Sequence, residues 1–178
     1  QPNRNRLLFT DSSVDGVKTG HTESAGYCLV SSAKRNDTRL IGVVLGAAKE
    51  KDRFQASEAL LNYGFSFFES RKLYDGATPI VSSRIWKGKE NELPLGVAYP
   101  LYVTVPKGQA PQVSTTTTVQ PKIVAPAQKD QPFGEIVVKL GDQEVSKIPL
   151  VALKEVPESG WFGRLLDSIL MFFYYLFH

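Results

Sequence analysis

One cysteine, one methionine and two histidines stand among the 178 residues. A single thiol, Cys28, excludes an internal disulfide and any multi-cysteine zinc site. It lies in the apolar run Tyr27-Cys28-Leu29-Val30, where a small buried hydrophobe is expected. His21 and His178 are far apart and have no paired carboxylate motif, so no metal site is expected, and no cofactor. Charge of one sign is scarce too. Twenty-one Lys and Arg against 18 Asp and Glu leave a net +3, mixed as in Lys49-Glu50-Lys51-Asp52-Arg53. Without a basic stripe interleaved with aromatics, nucleic acid is not an expected partner. Residues 1–10 contain no signal-peptide core and Gln1 is not an initiator, which leads to the expectation that the chain begins inside a longer protein. There is no internal repeat.

What remains suffices for a folded protein: 42% hydrophobic and 22% charged residues are ordinary globular values. Residues 1–69 read as mixed α/β. Two β-rich runs, 27–33 and 38–45, flank the polar turn Lys34-Arg35-Asn36-Asp37 and predict an antiparallel hairpin. The near-continuous apolar stretch 40–45 suggests a central strand covered on both faces. A helix is predicted over about 51–67, with Phe54, Ala56, Ala59, Leu60, Tyr63 and Phe67 as its apolar stripe.

From residue 73 to 156 no helical period is found. Short β-rich runs at 79–85, 101–105, 113–119, 135–140 and 144–153 alternate with Gly and Pro, and Gly141-Asp142 reads as a hairpin loop. This predicts a small all-β sandwich. The fold class is therefore α+β, ending in a third segment, 157–178. There Pro157-Glu158-Ser159-Gly160 breaks the chain before WFGRLLDSILMFFYYLFH, with Ser159 as the candidate N-cap.

Wound as a helix, that segment gathers Phe162, Leu165, Leu166, Ile169, Leu170, Phe172, Phe173, Leu176 and Phe177 on one broad face. Arg164, Asp167, Ser168, Tyr175 and His178 fall on the other, with Met171 among them. The uninterrupted apolar run 169–177 is too short to cross a bilayer. A helix lying in the membrane interface is expected, with Trp161 and the tyrosines at headgroup level. Packing on its own domain or on a partner is the alternative.

The most informative stretch is Val14-Asp15-Gly16-Val17-Lys18-Thr19-Gly20-His21-Thr22. A lysine on an edge strand supplies positive charge toward a carboxylate or developing oxyanion. A threonine beside it adds a hydroxyl, and a glycine lets a substrate backbone approach. The triplet alone leaves open a glycine turn with a solvated lysine.

Its company is more specific. The order VDGVKTGHTESAGYCLVSSA, RLIGVVLGA, ALLNYGFSFFES, β-domain and amphipathic tail resembles the C-terminal part of the low-molecular-mass penicillin-binding proteins. These are serine-type D-alanyl-D-alanine carboxypeptidases. Asn3-Arg4-Asn5-Arg6-Leu7-Leu8 matches the segment before their Lys-Thr-Gly motif, so the resemblance covers essentially the whole chain.

The resemblance implies 1–69 as the end of a penicillin-binding/β-lactamase-like catalytic domain, 70–156 as the all-β domain and 157–178 as an anchoring helix. It implies Lys18, Thr19, Gly20, His21 and Arg53 as substrate-binding residues, His21 shaping the strand and not acting as a base. A solvated arginine at a helix start is the other reading of Arg53. The family's Ser-x-x-Lys and Ser-x-Asn motifs are expected upstream, leaving no catalytic residue in this chain, which alone would be inactive.

The implied partners are a peptidoglycan stem peptide, β-lactams and a membrane surface; protein partners are not specified. The implied location is the periplasmic face of the bacterial cytoplasmic membrane. A non-catalytic, membrane-anchored β-domain that positions an envelope partner is the alternative function.

Overall fold

A computed structural model describes residues 3–177, with side chains described up to Tyr174. Leu176 and Phe177 of the expected anchor therefore lie outside the described side chains. The chain forms two compact units: residues 1–71 with 103–110, and residues 72–102 with 111–178.

The first unit opens with a short helix, α1 (Leu7–Thr10), and three antiparallel strands, β1 (Val14–Thr22), β2 (Gly26–Arg35) and β3 (Thr38–Ala47), in the order β1-β2-β3. The β2–β3 turn needs a left-handed residue, and Asn36 takes it at φ 52°, a conformation that asparagine tolerates. Helix α2 (Glu50–Phe67) covers one face of the sheet. Leu7, Val14, Leu29, Ala33, Phe54, Leu61 and Phe65 form the core between them.

Two expectations are corrected here. The buried stripe of α2 is Phe54, Ser57, Leu61 and Phe65, together with Arg53. Of the expected stripe only Phe54 is buried; Leu60, Tyr63 and Phe67 are exposed, the last two stacked on each other at 4.7 Å. The sequence holds two apolar arcs, and the sheet selects the one that carries a small Ser57 and lets Gly64 lie against Leu40. Strand β3 is not central either. β2 is, and Ile41, Val43 and Leu45 of β3 are more than half exposed on the face away from α2. Among the described residues only one side of this sheet is covered by a helix.

The chain passes into and out of the second unit through the paired strands β4 (Phe68–Tyr74) and β7 (Leu101–Pro106). The second unit is built on β5 (Pro79–Trp86), β6 (Glu92–Gly96), β8 (Val113–Val119), β9 (Ile123–Val124), β10 (Pro132–Leu140) and β11 (Gln143–Ala152), in the sheet order β8-β10-β11-β6-β5-β9. Alternate residues point inward: Ile85, Leu93, Leu95, Ile136 and Leu150 share one core cluster. Gly141, at φ 58°, makes the β10–β11 hairpin turn at the expected place. Strand β6 lies outside the β-rich runs of the sequence, because Pro94 interrupts its pattern.

Helix α3 (Trp161–Phe177) follows. Its first turn is closed by the Gly160 carbonyl, which accepts the Arg164 N–H at 3.1 Å. Ser159 is not the cap: its hydroxyl turns to the Gly160 carbonyl at 3.5 Å. No described helix is long and apolar enough to cross a membrane.

Candidate functional site

Within the first unit, Lys18, Thr19, Gly20, His21 and Arg53 line one cavity of about 490 Å³. The first four sit on β1, an edge strand of its sheet, and Arg53 comes from the first turn of α2. Because successive strand residues alternate in direction, Thr19 and His21 face α2 while Lys18 rises from the opposite side of the strand. The Lys18 ammonium donates to the Thr19 carbonyl at 2.9 Å. The His21 ring lies 4.0 Å from that of Tyr27, its partner across the hairpin.

Arg53 is not a solvated helix-start residue: only 3% of it is exposed. Its Nη1 donates to the Gly20 carbonyl at 3.2 Å and its Nη2 to Glu50 Oε1 at 3.0 Å. The guanidinium also sits 5.4 Å above Tyr27 and 4.9 Å from the Phe54 ring. A planar cation is thus fixed against the glycine of the Lys-Thr-Gly triplet by both hydrogen bonds and rings. Three cations, Arg4, Lys18 and Arg53, face one anion, Glu50, around the cavity. A pocket with that balance favours a carboxylate, and the Arg53 guanidinium contributes its charge from beneath, with both terminal nitrogens already engaged and its Nε buried without a partner.

The sequence of residues 68–158 matches the family described as "Penicillin-binding protein 5, C-terminal domain", and residues 1–49 match "D-alanyl-D-alanine carboxypeptidase". The chain belongs to the low-molecular-mass penicillin-binding protein family. It is 42% identical to D-alanyl-D-alanine carboxypeptidase DacC of Escherichia coli, over 99% of this chain and 45% of that protein. With DacA of the same organism the identity is 38%, over 99% and 44%. Among solved structures, penicillin-binding protein 5 from Haemophilus influenzae superposes with a TM-score of 0.75 at 37% identity, covering 89% of this chain and 47% of that one. The chain therefore spans a little under half the length of these relatives.

Members of this family carry a Ser-x-x-Lys motif, and one such spacing does occur here, at Ser31-Ser32-Ala33-Lys34, where none was expected. It lies within β2. Residues three apart on a strand point to opposite faces, so the hydroxyl and the amine cannot meet. Ser31 is fully buried and donates to the Gly42 carbonyl at 3.3 Å, whereas Lys34 is exposed. This pair is structural.

Sequence reasoning passed over Arg4, Tyr27 and Glu50 as cavity residues. Tyr27 was within reach, since the hairpin register places it opposite His21. Arg4 depends on Asn5, which is buried: its side-chain oxygen accepts the Leu7 N–H at 3.2 Å and its amide reaches the Gly16 carbonyl at 3.4 Å. These bonds tie the segment bearing Arg4 to the start of β1. Cys28 is half-buried, not buried; its Sγ lies 3.6 Å from the Ala25 carbonyl, on the sheet face away from α2.

Proposed function

We propose that this chain provides the substrate-recognition wall of a serine D-alanyl-D-alanine carboxypeptidase. The observation that carries the reading is the basic cavity in which Lys18, Thr19 and the buried Arg53 surround an edge strand. An extended peptide ending in a carboxylate pairs with such an edge by strand addition, its carboxylate toward Arg53 and the Thr19 hydroxyl. The substrate is the peptidoglycan stem peptide, and β-lactams enter as its mimics.

In the complete enzyme a serine carried elsewhere attacks the carbonyl carbon between the two terminal D-alanines. The C–N bond breaks, D-alanine leaves with a proton on its nitrogen, and water then hydrolyses the ester to free the serine. Lys18 supplies positive charge beside the oxyanion and carboxylate during these steps. In an enzyme bearing that serine, Lys18→Ala is expected to slow acylation by benzylpenicillin by about 10²–10³-fold. An unchanged second-order rate constant would remove Lys18 from this role.

The same reading places the chain at the periplasmic face of the cytoplasmic membrane, held there by α3. What supports it is the way α3 lies on its own unit. Asp167 is 9% exposed and turns toward the sheet, accepting the Lys87 backbone N–H at 2.5 Å, with an Arg84 nitrogen 3.5 Å away. Trp86 lies 5.8 Å from Tyr174 in the same interface.

The helix thus packs with its polar side. Trp161, Phe162, Leu165, Leu166, Ile169, Leu170, Phe172 and Phe173 are 49–72% exposed on the other side. An amphipathic helix that turns its apolar arc away from its own domain suits a lipid interface. Deleting residues 160–178 is expected to move the protein from the membrane pellet to the supernatant without loss of penicillin acylation by the complete enzyme. Continued sedimentation with membranes would refute the anchor.

A further inference from the structure

Beside α3, within the second unit, lies a second cavity, of about 460 Å³. On a helix each residue advances about 100°. Arg164 and Ser168 therefore occupy the flank between Asp167, which faces the sheet, and Trp161 and Leu165, which border the exposed apolar arc. These four flanking side chains line the cavity, and across from them Lys87, Val124, Ala125 and Glu158 complete it.

Lys87 is held in place by its backbone, at φ 61° with its N–H on Asp167. Among the described residues its ammonium has no hydrogen-bond or ion-pair partner, while Arg164 is paired with Glu158 at 2.6 Å. The three charged groups sum to one net positive charge. On the anchoring reading, a bilayer covering the apolar arc would bring its headgroups to this flank of the helix.

We propose that this cavity seats the phosphodiester of an anionic glycerophospholipid, with Lys87 on the phosphate, Glu158 toward headgroup hydroxyls and the Trp161 and Leu165 side chains along the first acyl carbons. One net charge complements a phosphodiester monoanion such as a phosphoglycerol headgroup; a zwitterionic headgroup would leave it uncompensated. A cation also gains more in a walled notch beside lipid than on an open surface. The inference rests on the anchoring reading of α3.

The test is co-sedimentation of the chain with vesicles of phosphatidylcholine and of phosphatidylcholine mixed with phosphatidylglycerol, at one ionic strength. Preferential binding to the mixed vesicles is expected. Lys87→Gln should cut that preference about five-fold or more while leaving neutral-vesicle binding unchanged. Ser168→Leu, which fills the cavity without changing charge, should abolish the preference as well. Lys89→Gln, removing the same charge from an exposed position outside the cavity, should leave it nearly intact.

Equal losses in the Lys87 and Lys89 variants would reduce the effect to a diffuse surface field and overturn the site, as would a Ser168→Leu variant that keeps its preference. Equal wild-type binding to both vesicle types would overturn the site while leaving the anchor standing. Binding to neither would bring down the anchoring reading itself. Soluble glycerophosphoglycerol held by the vesicle-free chain as tightly as the lipid would reassign the cavity to a soluble phosphodiester.

Discussion

At the scale of single residues, Arg53 concentrates the chemistry of the first cavity. Its charge is buried, so its hydrogen bonds to Gly20 and Glu50 compensate desolvation more than they add stability. Arg53→Met keeps the length and the ring contacts while removing the fork of donors. That variant is expected to remain folded but to lose about 10–100-fold in affinity for a carboxylate-bearing β-lactam, measured as the pre-acylation dissociation constant of the complete enzyme. Unchanged affinity would make Arg53 purely structural.

A different residue reports on pH. Hydrogen bonds from the Arg39 side chain and Ser32 hold the Asp15 carboxyl down, from the usual 3.8 to about 2. A carboxyl lowered on folding contributes stability that is fully present above pH 3.8 and lost as the pH falls through about 2. Asp11, held down by Ser13 first and Arg35 after it, acts in the same direction. Urea-unfolding midpoints followed from neutral pH into that window should decline, and Asp15→Asn should make the decline shallower. A variant with the wild-type slope would discount the Arg39 pairing.

At the scale of elements, α2 shows where composition misleads. Leu60 and Leu61 are adjacent leucines, yet the first is 45% exposed and the second 2%. Leu61→Ala is expected to cost about 2–5 kcal/mol. Leu60→Ala should cost less than about 1 kcal/mol, since half its surface already meets water. Urea-unfolding curves distinguish them, and equal losses would contradict the orientation of α2.

The strands were more legible. The polar turn at 34–37 and the Gly141-Asp142 loop announced their hairpins because a tight reversal requires residues that accept positive φ. Nothing local announced which side of β3 the helix would cover. The alternation of its neighbours Leu40, Ile41, Gly42 and Val43 acquires direction only once α2 closes over Leu40 and Gly42.

At the scale of the whole molecule, two units are strung on one chain, and α3 ends the second with its apolar arc turned outward. Asp167 is the charged residue that meets the sheet in that orientation. Asp167→Ala removes the acceptor for the Lys87 N–H and the partner of Arg84, so α3 is expected to loosen from the sheet. Faster hydrogen exchange at the Lys87 amide, with vesicle binding retained, is the expected signature; unchanged protection would show that Trp86 and Tyr174 hold the helix alone.

The sequence by itself determined the order of the parts, the class of fold, the Lys18-Thr19-Gly20 strand and the amphipathic character of the last helix. These follow from local periodicity and from turn residues, which act over a few positions. Tertiary structure decided what Arg53 touches, which leucine of α2 is core and why Ser31 and Lys34 form no catalytic pair. It also decided that α3 rests on its polar side. Each of these depends on residues brought together from distant positions, and only the closed chain sets which charge is desolvated and which face is left to the solvent.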